Sequence, residues 1–216
     1  MRHLDLSHPV HHGMITYPGL PAPEIGEFLT RDASRANYSP GTEFSIGRIS
    51  MVGNTGTYLD TPFHRYAEGW DLAALPLERV AGVPGIVVHA LELAVDAHRL
   101  DGLDLRGRAV LIRTDWSAHW GTDRYLDATH PHLTADAVDA LVRAGPAIVG
   151  IDSVNIDDTR GGERPAHSGL LAADVPIVEH LTGLDALPDE GFEFYAIPAP
   201  IAGLGTLPVR AFAIVR

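Results

Sequence analysis

The chain has 216 residues, enough for one domain with a substantial core, and its 45% hydrophobic and 20% charged residues are typical of a globular protein. Its formal net charge of −12 argues against a nucleic-acid partner, because neutralising phosphates requires clustered lysine and arginine. The absence of cysteine excludes disulfides, thiolate nucleophiles and cysteine-ligated zinc. We therefore predict a single domain over residues 1–216.

The sequence contains no apolar run near the roughly 18–20 residues that a membrane-spanning helix needs, so we expect no membrane partner. No signal-peptide pattern opens the chain, and we therefore expect a cytoplasmic protein. Histidine is abundant, with 12 residues, several of them near acidic residues. Such a composition favours hard or borderline metals with nitrogen and oxygen ligands.

The N-terminal part is predicted to be mainly extended. Residues 3–9 alternate and end at Pro9, which predicts a short edge strand. Residues 24–40 are mixed and polar, and we predict loop or weak strand there. Residues 44–51 alternate apolar and polar with a period of two, which is typical of a half-buried strand. That strand leads into residues 54–64, the segment densest in small, polar and ionisable side chains.

A helix start is predicted within this dense segment, with Thr61 at the cap and Pro62 at the first helical position. Asp60 would then lie just outside the helix and His64 in its first turn, and Gly69 would end the element. A carboxylate and an imidazole held so close could ligate a metal or act as an acid–base pair. The alternative is that Asp60 is a second cap and His64 lies on a solvated face.

Two strands are predicted next, at 85–90 and 109–114. The second is an apolar run of the kind found in strands buried on both faces. A long polar loop, residues 115–131, follows, and loops of that length are often functional. Trp116 in this loop either packs locally or forms an apolar wall for an aromatic substrate.

The C-terminal half contains one clear helix at 135–144, capped by Thr134 and stopped by Gly145. Around it we predict a strand at 147–152, a polar loop at 157–165, and strands near 193–197 and 209–215. Strands and helices are interspersed with long connections, so the pattern alone indicates α/β or α+β without deciding between them.

Residues 54–64 resemble the metal-binding signature of the cyclase family, which includes bacterial kynurenine formamidase and isatin hydrolase. That signature reads His-x-Gly-Thr-His-x-Asp-x-Pro-x-His, and the matching positions here are Gly56, Thr57, Asp60, Pro62 and His64. Asn54 and Tyr58 stand where the family has histidines. The resemblance extends to residues 4–9, 13–14, 17–19, 150–153 and 203–212, and to the spacing of His167 and Glu179.

The resemblance implies a layered, swivelling β/β/α fold with a central barrel-like β-sheet flanked by helices. It also implies assembly as a homodimer or homotetramer, with the N-terminal region covering the active site and contacting a neighbouring subunit. For the metal it implies Asp60, His64, His167 and Glu179 as ligands, which suffice for one zinc or manganese ion. Asn54 offers only a neutral carbonyl oxygen, and Tyr58 must lose a proton with an ordinary pKa of about 10 before it binds a metal well.

From these residues we predict hydrolysis of a C–N or ester bond in a small carbonyl substrate, such as a formamide, lactam or lactone, with an aromatic ring as one option. A bound cation would polarise the carbonyl, and His64 or Glu179 would move protons. Asn54 and Trp116 are the predicted substrate contacts.

Two alternatives stay open from the sequence. The first is a metal-independent cyclase or dehydratase in which Tyr58 donates a hydrogen bond to a carbonyl while His64, oriented by Asp60, acts as a general base. The second is a non-catalytic protein that binds a small molecule in the same pocket.

Overall fold

The computed structural model describes residues 1–216. Its strands are β1 (Arg2–Asp5), β2 (Glu24–Leu29), β3 (Ile46–Ser50), β4 (Tyr58–Asp60), β5 (Ala81–His89), β6 (Ala94–Val95), β7 (Ala109–Arg113), β8 (His132–Leu133), β9 (Ile148–Ile151), β10 (Ile177–Glu179), β11 (Glu190–Tyr195), β12 (Thr206–Pro208) and β13 (Phe212–Val215). The α-helices are α1 (Arg31–Ser34), α2 (Ala135–Ala144) and α3 (Pro165–Ala172). None of these helices is of a length and apolarity that would cross a membrane.

Nine strands form one mixed sheet, in the order β1-β13-β11-β5-β7-β9-β10-β4-β12, which curls into a half barrel. The predicted α/β layered fold with a barrel-like sheet is thus confirmed. β5, β7, β9 and β10 run parallel at its centre. Residues 109–112 of β7 are fully buried, as the apolar run predicted, because a hydrophobic cluster covers each face of the sheet.

The site lies where β4 is held between β10 and β12. Tyr58 and Asp60 point to the same face of the sheet because side chains alternate along a strand. Tyr58 pairs with Glu179 on β10, and Asp60 pairs with Thr206 on β12. Cross-strand partners lie side by side, so this register brings the four polar side chains together.

The two longer helices differ in how well they were predicted. α2 has the predicted limits, and Gly145 ends it in the left-handed conformation, with φ of 70°. The Thr134 hydroxyl does not cap the helix: its hydrogen-bond acceptors are the Asp136 carboxylate and the Val95 carbonyl. α3 was not predicted, because its eight residues include Gly169 and lack an amphipathic pattern.

The helix predicted to run from Pro62 to Gly69 is wrong in its length. It starts as predicted, after extended Thr61, but it is a single 3₁₀ turn, Pro62–His64, that ends at Arg65. Gly69 lies instead in a turn that packs against the start of that 3₁₀ helix. A Cβ at Gly69 would approach the Pro62 carbonyl carbon to 2.6 Å, so this close approach requires glycine.

The prediction that residues 44–51 form a half-buried strand is wrong for burial, although β3 is a strand. β3 pairs only with β2, in a separate two-stranded sheet that we call the hairpin arm (β2 and β3). All five residues of β3 are exposed, and Ile49 retains 59% of its accessible surface. The physical reason is that no other layer of this chain covers either face of the arm.

The predicted C-terminal strands also shift. The strand expected at 193–197 is β11, which begins earlier, at Glu190. The strand expected at 209–215 is β13, which begins later, at Phe212, and pairs with β1 and β11. β12, which precedes it and pairs with β4, was not predicted. The chain therefore crosses between distant parts of the sheet within a few residues.

Candidate metal centre

Asp60, His64 and His167 bring one potential ligand atom each to a common point, with these atoms all within 4.8 Å of one another. Asp60 Oδ2 is buried and has no hydrogen-bond partner in the chain. His167 Nε2 is 3.7 Å from it, too far for a hydrogen bond. A buried acceptor without a partner costs free energy, which a cation shared by these atoms would remove. The donor set and the unpartnered oxygen therefore fit a divalent metal.

His167 is oriented by Asp157. Its Nδ1 is 2.6 Å from Asp157 Oδ2, and the same carboxylate accepts from the backbone N–H groups of Ala166 and His167 at the start of α3. A carboxylate can only accept, so Nδ1–H donates and Nε2 faces Asp60. Burial lowers the pKa of His167, but the carboxylates of Glu179, Asp157 and Asp60 outweigh it and raise that pKa well above 6.5.

His64 is oriented by Thr206. Its Nδ1 is 2.8 Å from Thr206 Oγ1, and that hydroxyl donates to Asp60 Oδ1. Because a hydroxyl carries one proton, His64 Nδ1–H must donate to Thr206. The lone pair of His64 Nε2 is therefore free to bind a metal or to accept a proton.

Glu179 and Tyr58 form the buried rear of the site. Tyr58 Oη donates to Glu179 Oε2, and Ile156 N donates to Oε1 at 2.7 Å. Burial raises the pKa of Glu179 to about 7, with His167 lowering it and Asp60 raising it. Burial and then Glu179 raise the pKa of Tyr58 well above 10, so Tyr58 is a neutral phenol.

Behind Tyr58, a further hydrogen-bonded set fixes the phenol in place. Tyr17 Oη is 2.9 Å from Tyr58 Oη and also contacts the Val154 carbonyl. Because Tyr58 donates its one proton to Glu179, Tyr17 is the donor in this pair of contacts, with one proton for either acceptor. His180 Nε2 is 3.1 Å from Tyr17 Oη, and His180 Nδ1 is 2.8 Å from Tyr125 Oη. Burial lowers the pKa of His180 to about 3, so this histidine is neutral.

These groups open into a cavity of about 350 Å³. It is lined by Tyr17, Leu20, Asn54, Tyr58, His64, Arg65, Asn155, Arg164, His167 and Glu179. Asn54 is half-buried, and its side chain makes no hydrogen bond within the chain. Trp116 does not line the cavity: it is 7% exposed, and its Nε1 donates to the Tyr125 carbonyl.

The structure thus brings together six of the seven predicted site residues: Asn54, Tyr58, Asp60, His64, His167 and Glu179. Sequence reasoning missed the roles of Tyr17, Asp157 and Thr206, which orient the others. Tyr17 lies in a segment that resembles the family's N-terminus, which was a usable signal. Asp157 and Thr206 carried no such signal, because a polar loop and a C-terminal threonine are common.

Comparison with known proteins agrees with this geometry. The Cyclase family model ("Putative cyclase") matches residues 4–158. The chain belongs to the cyclase family. The matched region includes the signature segment and strands β4, β5, β7 and β9 of the large sheet. Because the relatives of this chain carry enzyme names, this cyclase-family chain is an enzyme.

Individual relatives extend over the whole chain. Kynurenine formamidase from Bacillus anthracis is 29% identical over 210 residues, which cover 96% of this chain and 95% of that protein. Isatin hydrolase A from Labrenzia aggregata bound to benzyl benzoate superposes with a TM-score of 0.80 at 24% identity, covering 99% and 93% of the two chains. A predicted metal-dependent hydrolase from Bacillus stearothermophilus gives 0.76 at 25% identity, covering 100% and 98%.

Proposed function

We propose that this cyclase-family enzyme hydrolyses a C–N bond, or a related ester bond, in a small carbonyl substrate with the help of one divalent metal. The observation that carries the proposal is the convergence of Asp60, His64 and His167 around an unpartnered buried carboxylate oxygen. The names kynurenine formamidase and metal-dependent hydrolase among its relatives support it.

Asp60, His64 and His167 would hold the metal, zinc or manganese, and Glu179 lies close enough to His167 to contribute a fourth donor, with 3.9 Å between Oε2 and Nε2. When bound, such a cation polarises a carbonyl and makes water more acidic. Two imidazoles and one or two carboxylates are a donor set suited to either ion. Asn54 and Tyr58 are not assigned as ligands, because one is a weak neutral donor and the other stays protonated.

The chain's own groups would move the protons. Glu179, with its pKa raised to about 7, can accept a proton from the attacking water and return it to the leaving nitrogen or oxygen near neutral pH. Tyr58 keeps Glu179 oriented through its hydrogen bond, and Tyr17 in turn fixes Tyr58. Asn54 offers an unused amide to the substrate, whereas contact between Trp116 and the substrate is not supported by its burial.

A metal-independent cyclase or dehydratase is the second candidate. One observation favours it: the hydrogen-bond chain from His64 through Thr206 to Asp60 leaves His64 Nε2 without a partner in the chain, in the cavity that the neutral phenol of Tyr58 also lines. A non-catalytic binding role is the third, and it predicts no turnover although the cavity would still bind a ligand.

The test begins with untagged protein purified without chelator. Elemental mass spectrometry should find about one zinc or manganese per chain, and hydrolysis of aryl formamides or isatin should be lost on chelation and restored by the metal. Asp60→Asn should abolish metal binding, and Glu179→Gln should abolish turnover while keeping metal. Asp158→Asn, which changes a carboxylate that is not part of the site, is the matched control, and it should change neither metal binding nor turnover.

Indifference to chelators together with a large loss of activity in Tyr58→Phe or His64→Ala would overturn the metal-dependent proposal in favour of acid–base chemistry. Metal binding without turnover of any carbonyl substrate would favour the binding role.

We further propose that residues 1–216 form a single domain, since β1 and β13, from opposite ends of the chain, pair in the same sheet. We also propose a homodimer or homotetramer. The chain buries its core, but the hairpin arm leaves apolar side chains exposed, and a second copy of the chain would cover them. The cytoplasmic location stays a prediction.

A further inference from the structure

Both arginines that line the cavity lack a carboxylate partner. Arg65 follows His64 directly, and its side chain makes no hydrogen bond or ion pair within the chain. Arg164 donates only through Nη1, to the carbonyls of Asp158, Gly161 and Glu163 at 3.1, 2.9 and 2.7 Å. Its Nη2 and Nε have no partner, so the guanidinium is held in place with two of its nitrogens unused.

This arrangement contrasts with the composition of the chain. Acidic residues outnumber basic ones by 28 to 16, so carboxylate partners are plentiful. Outside the cavity, arginines do form ion pairs: these are Arg35, Arg99, Arg108, Arg113, Arg160, Arg210 and Arg216. Not every surface arginine is paired, but Arg164 is half-buried and its position is fixed by the loop that begins α3.

Each of the two arginines is close in sequence to one of the histidines of the metal site. Arg65 is next to His64, and Arg164 precedes His167 by three residues. A molecule with its carbonyl beside Glu179 and His167 therefore has a guanidinium within the same cavity. The volume of about 350 Å³ is at the lower end of small-molecule pockets, which suits a substrate with one ring.

Resting on the proposed function, we propose that Arg65 and Arg164 bind a carboxylate of the substrate, so that the enzyme acts on carbonyl compounds that are also acids. Guanidinium groups recognise carboxylates through paired, charge-assisted hydrogen bonds, and a guanidinium already held by the protein loses less freedom on binding. The unused amide of Asn54 would contact the same molecule. Neutral analogues of equal size would bind more weakly.

The test measures binding without turnover. Isothermal titration calorimetry compares benzoate with benzamide, a neutral molecule of nearly the same shape, in the metal-loaded protein and in the chelated protein. The variants are Arg65→Gln, Arg164→Gln and the double variant. Arg143→Gln, an exposed arginine on α2, is the matched control, and circular dichroism checks that each variant is folded.

We expect benzoate to bind about tenfold more tightly than benzamide, a difference of about 1.4 kcal/mol. This preference should survive chelation, shrink in each single variant, disappear in the double variant, and persist in Arg143→Gln. Arg65→Gln keeps the test decisive even if Arg164→Gln disturbs its loop.

Equal binding of benzoate and benzamide by the parent protein would overturn the proposal. So would a preference that is lost on chelation but kept by the double variant, because the carboxylate would then bind the metal. Since no turnover is measured, a failure of hydrolysis leaves this result intact, and a failure here leaves the proposed hydrolysis standing with a neutral substrate.

Discussion

At the scale of single residues, the direction in which His167 points depends on the carboxylate of Asp157. That carboxylate accepts from His167 Nδ1 and from two backbone N–H groups of α3, so both the ring and the helix start are fixed by one side chain. Such supporting carboxylates orient metal-binding histidines and raise their basicity.

Asp157→Asn should therefore weaken metal binding by about 10- to 100-fold, the usual effect of losing such a partner. The amide would present N–H groups to backbone donors, so the ring would lose its fixed orientation. Competition with a chromophoric chelator measures the affinity. Asp158→Asn, one residue along, is the control because its carboxylate forms its ion pair with Arg160 at the surface. Equal affinity in Asp157→Asn and the parent would show that His167 is not held by this contact.

His180 makes the stability depend on pH. Its pKa is lowered by burial to about 3, whereas an unfolded histidine titrates near 6.5. The unfolded chain therefore binds one more proton between these values, so the stabilisation is complete above pH 6.5 and is lost as the pH falls toward 3. His180→Asn, which tolerates the left-handed φ of 58°, should flatten the acid limb by about 1.4 kcal/mol per pH unit. Urea unfolding between pH 4 and 6.5 measures the slopes, and identical slopes would contradict the assignment.

What the sequence could predict at this scale was set by local pattern and family resemblance. The signature identified Asp60 and His64, and the resemblance added His167 and Glu179. Thr206 could not be found, because it meets Asp60 only through the pairing of β12 with β4, across 146 residues of chain. Contacts of that range depend on strand register, which the sequence alone does not reveal.

At the scale of elements, the close packing of Gly205, the residue before β12, on the 3₁₀ helix Pro62–His64 positions His64. A Cβ at Gly205 would lie 2.3 Å from His64 N and 2.6 Å from its Cα. Both are backbone atoms, so the clash could not be relieved by a side-chain rotation.

Gly205→Ala should therefore displace the 3₁₀ helix, lower the free energy of unfolding by about 1–3 kcal/mol, and weaken metal binding together with it. Gly162→Ala is the matched control, because a Cβ there meets nothing within 4 Å and its φ is not positive. Denaturant unfolding and metal titration check both effects. A fully stable Gly205→Ala variant with normal metal affinity would mean that β12 can move away from His64 without cost.

Helices and strands were predictable where the spacing of apolar residues agreed with the residues that end an element, as in α2 and the central strands. α3 was missed because a short helix with an internal glycine shows no amphipathic period. The prediction that β3 is half-buried was wrong for a different reason. Alternation of apolar and polar residues indicates that one face of a strand is covered, but it does not indicate whether the same chain or another chain covers that face.

At the scale of the whole molecule, the hairpin arm is the part that this chain leaves uncovered. Ile25 and Ile49 are cross-strand partners, exposed by 39% and 59%. Apolar patches of this kind usually mark an interface. A second copy of the chain is the occupant that the family resemblance implies.

The double variant Ile25→Ser, Ile49→Ser should therefore shift the protein from oligomer toward monomer in light scattering coupled to size-exclusion chromatography. The monomer should keep its secondary structure because the arm contributes nothing to the core. Leu91→Ser, which changes an exposed leucine outside the arm, is the control. A parent protein that is already monomeric would remove the basis for this prediction.

The candidate metal ligands come from β4, the 3₁₀ helix and α3, segments that are close only in the folded chain. An ion bound by all of them cannot stay bound after unfolding, so ligand binding and folding are linked by mass action. A metal at 100 times its dissociation constant should add about 2.7 kcal/mol to the unfolding free energy. Melting temperature, followed against metal concentration, would thus rank zinc and manganese before any substrate is known, and an Asp60→Asn protein should melt at one temperature whatever ion is added.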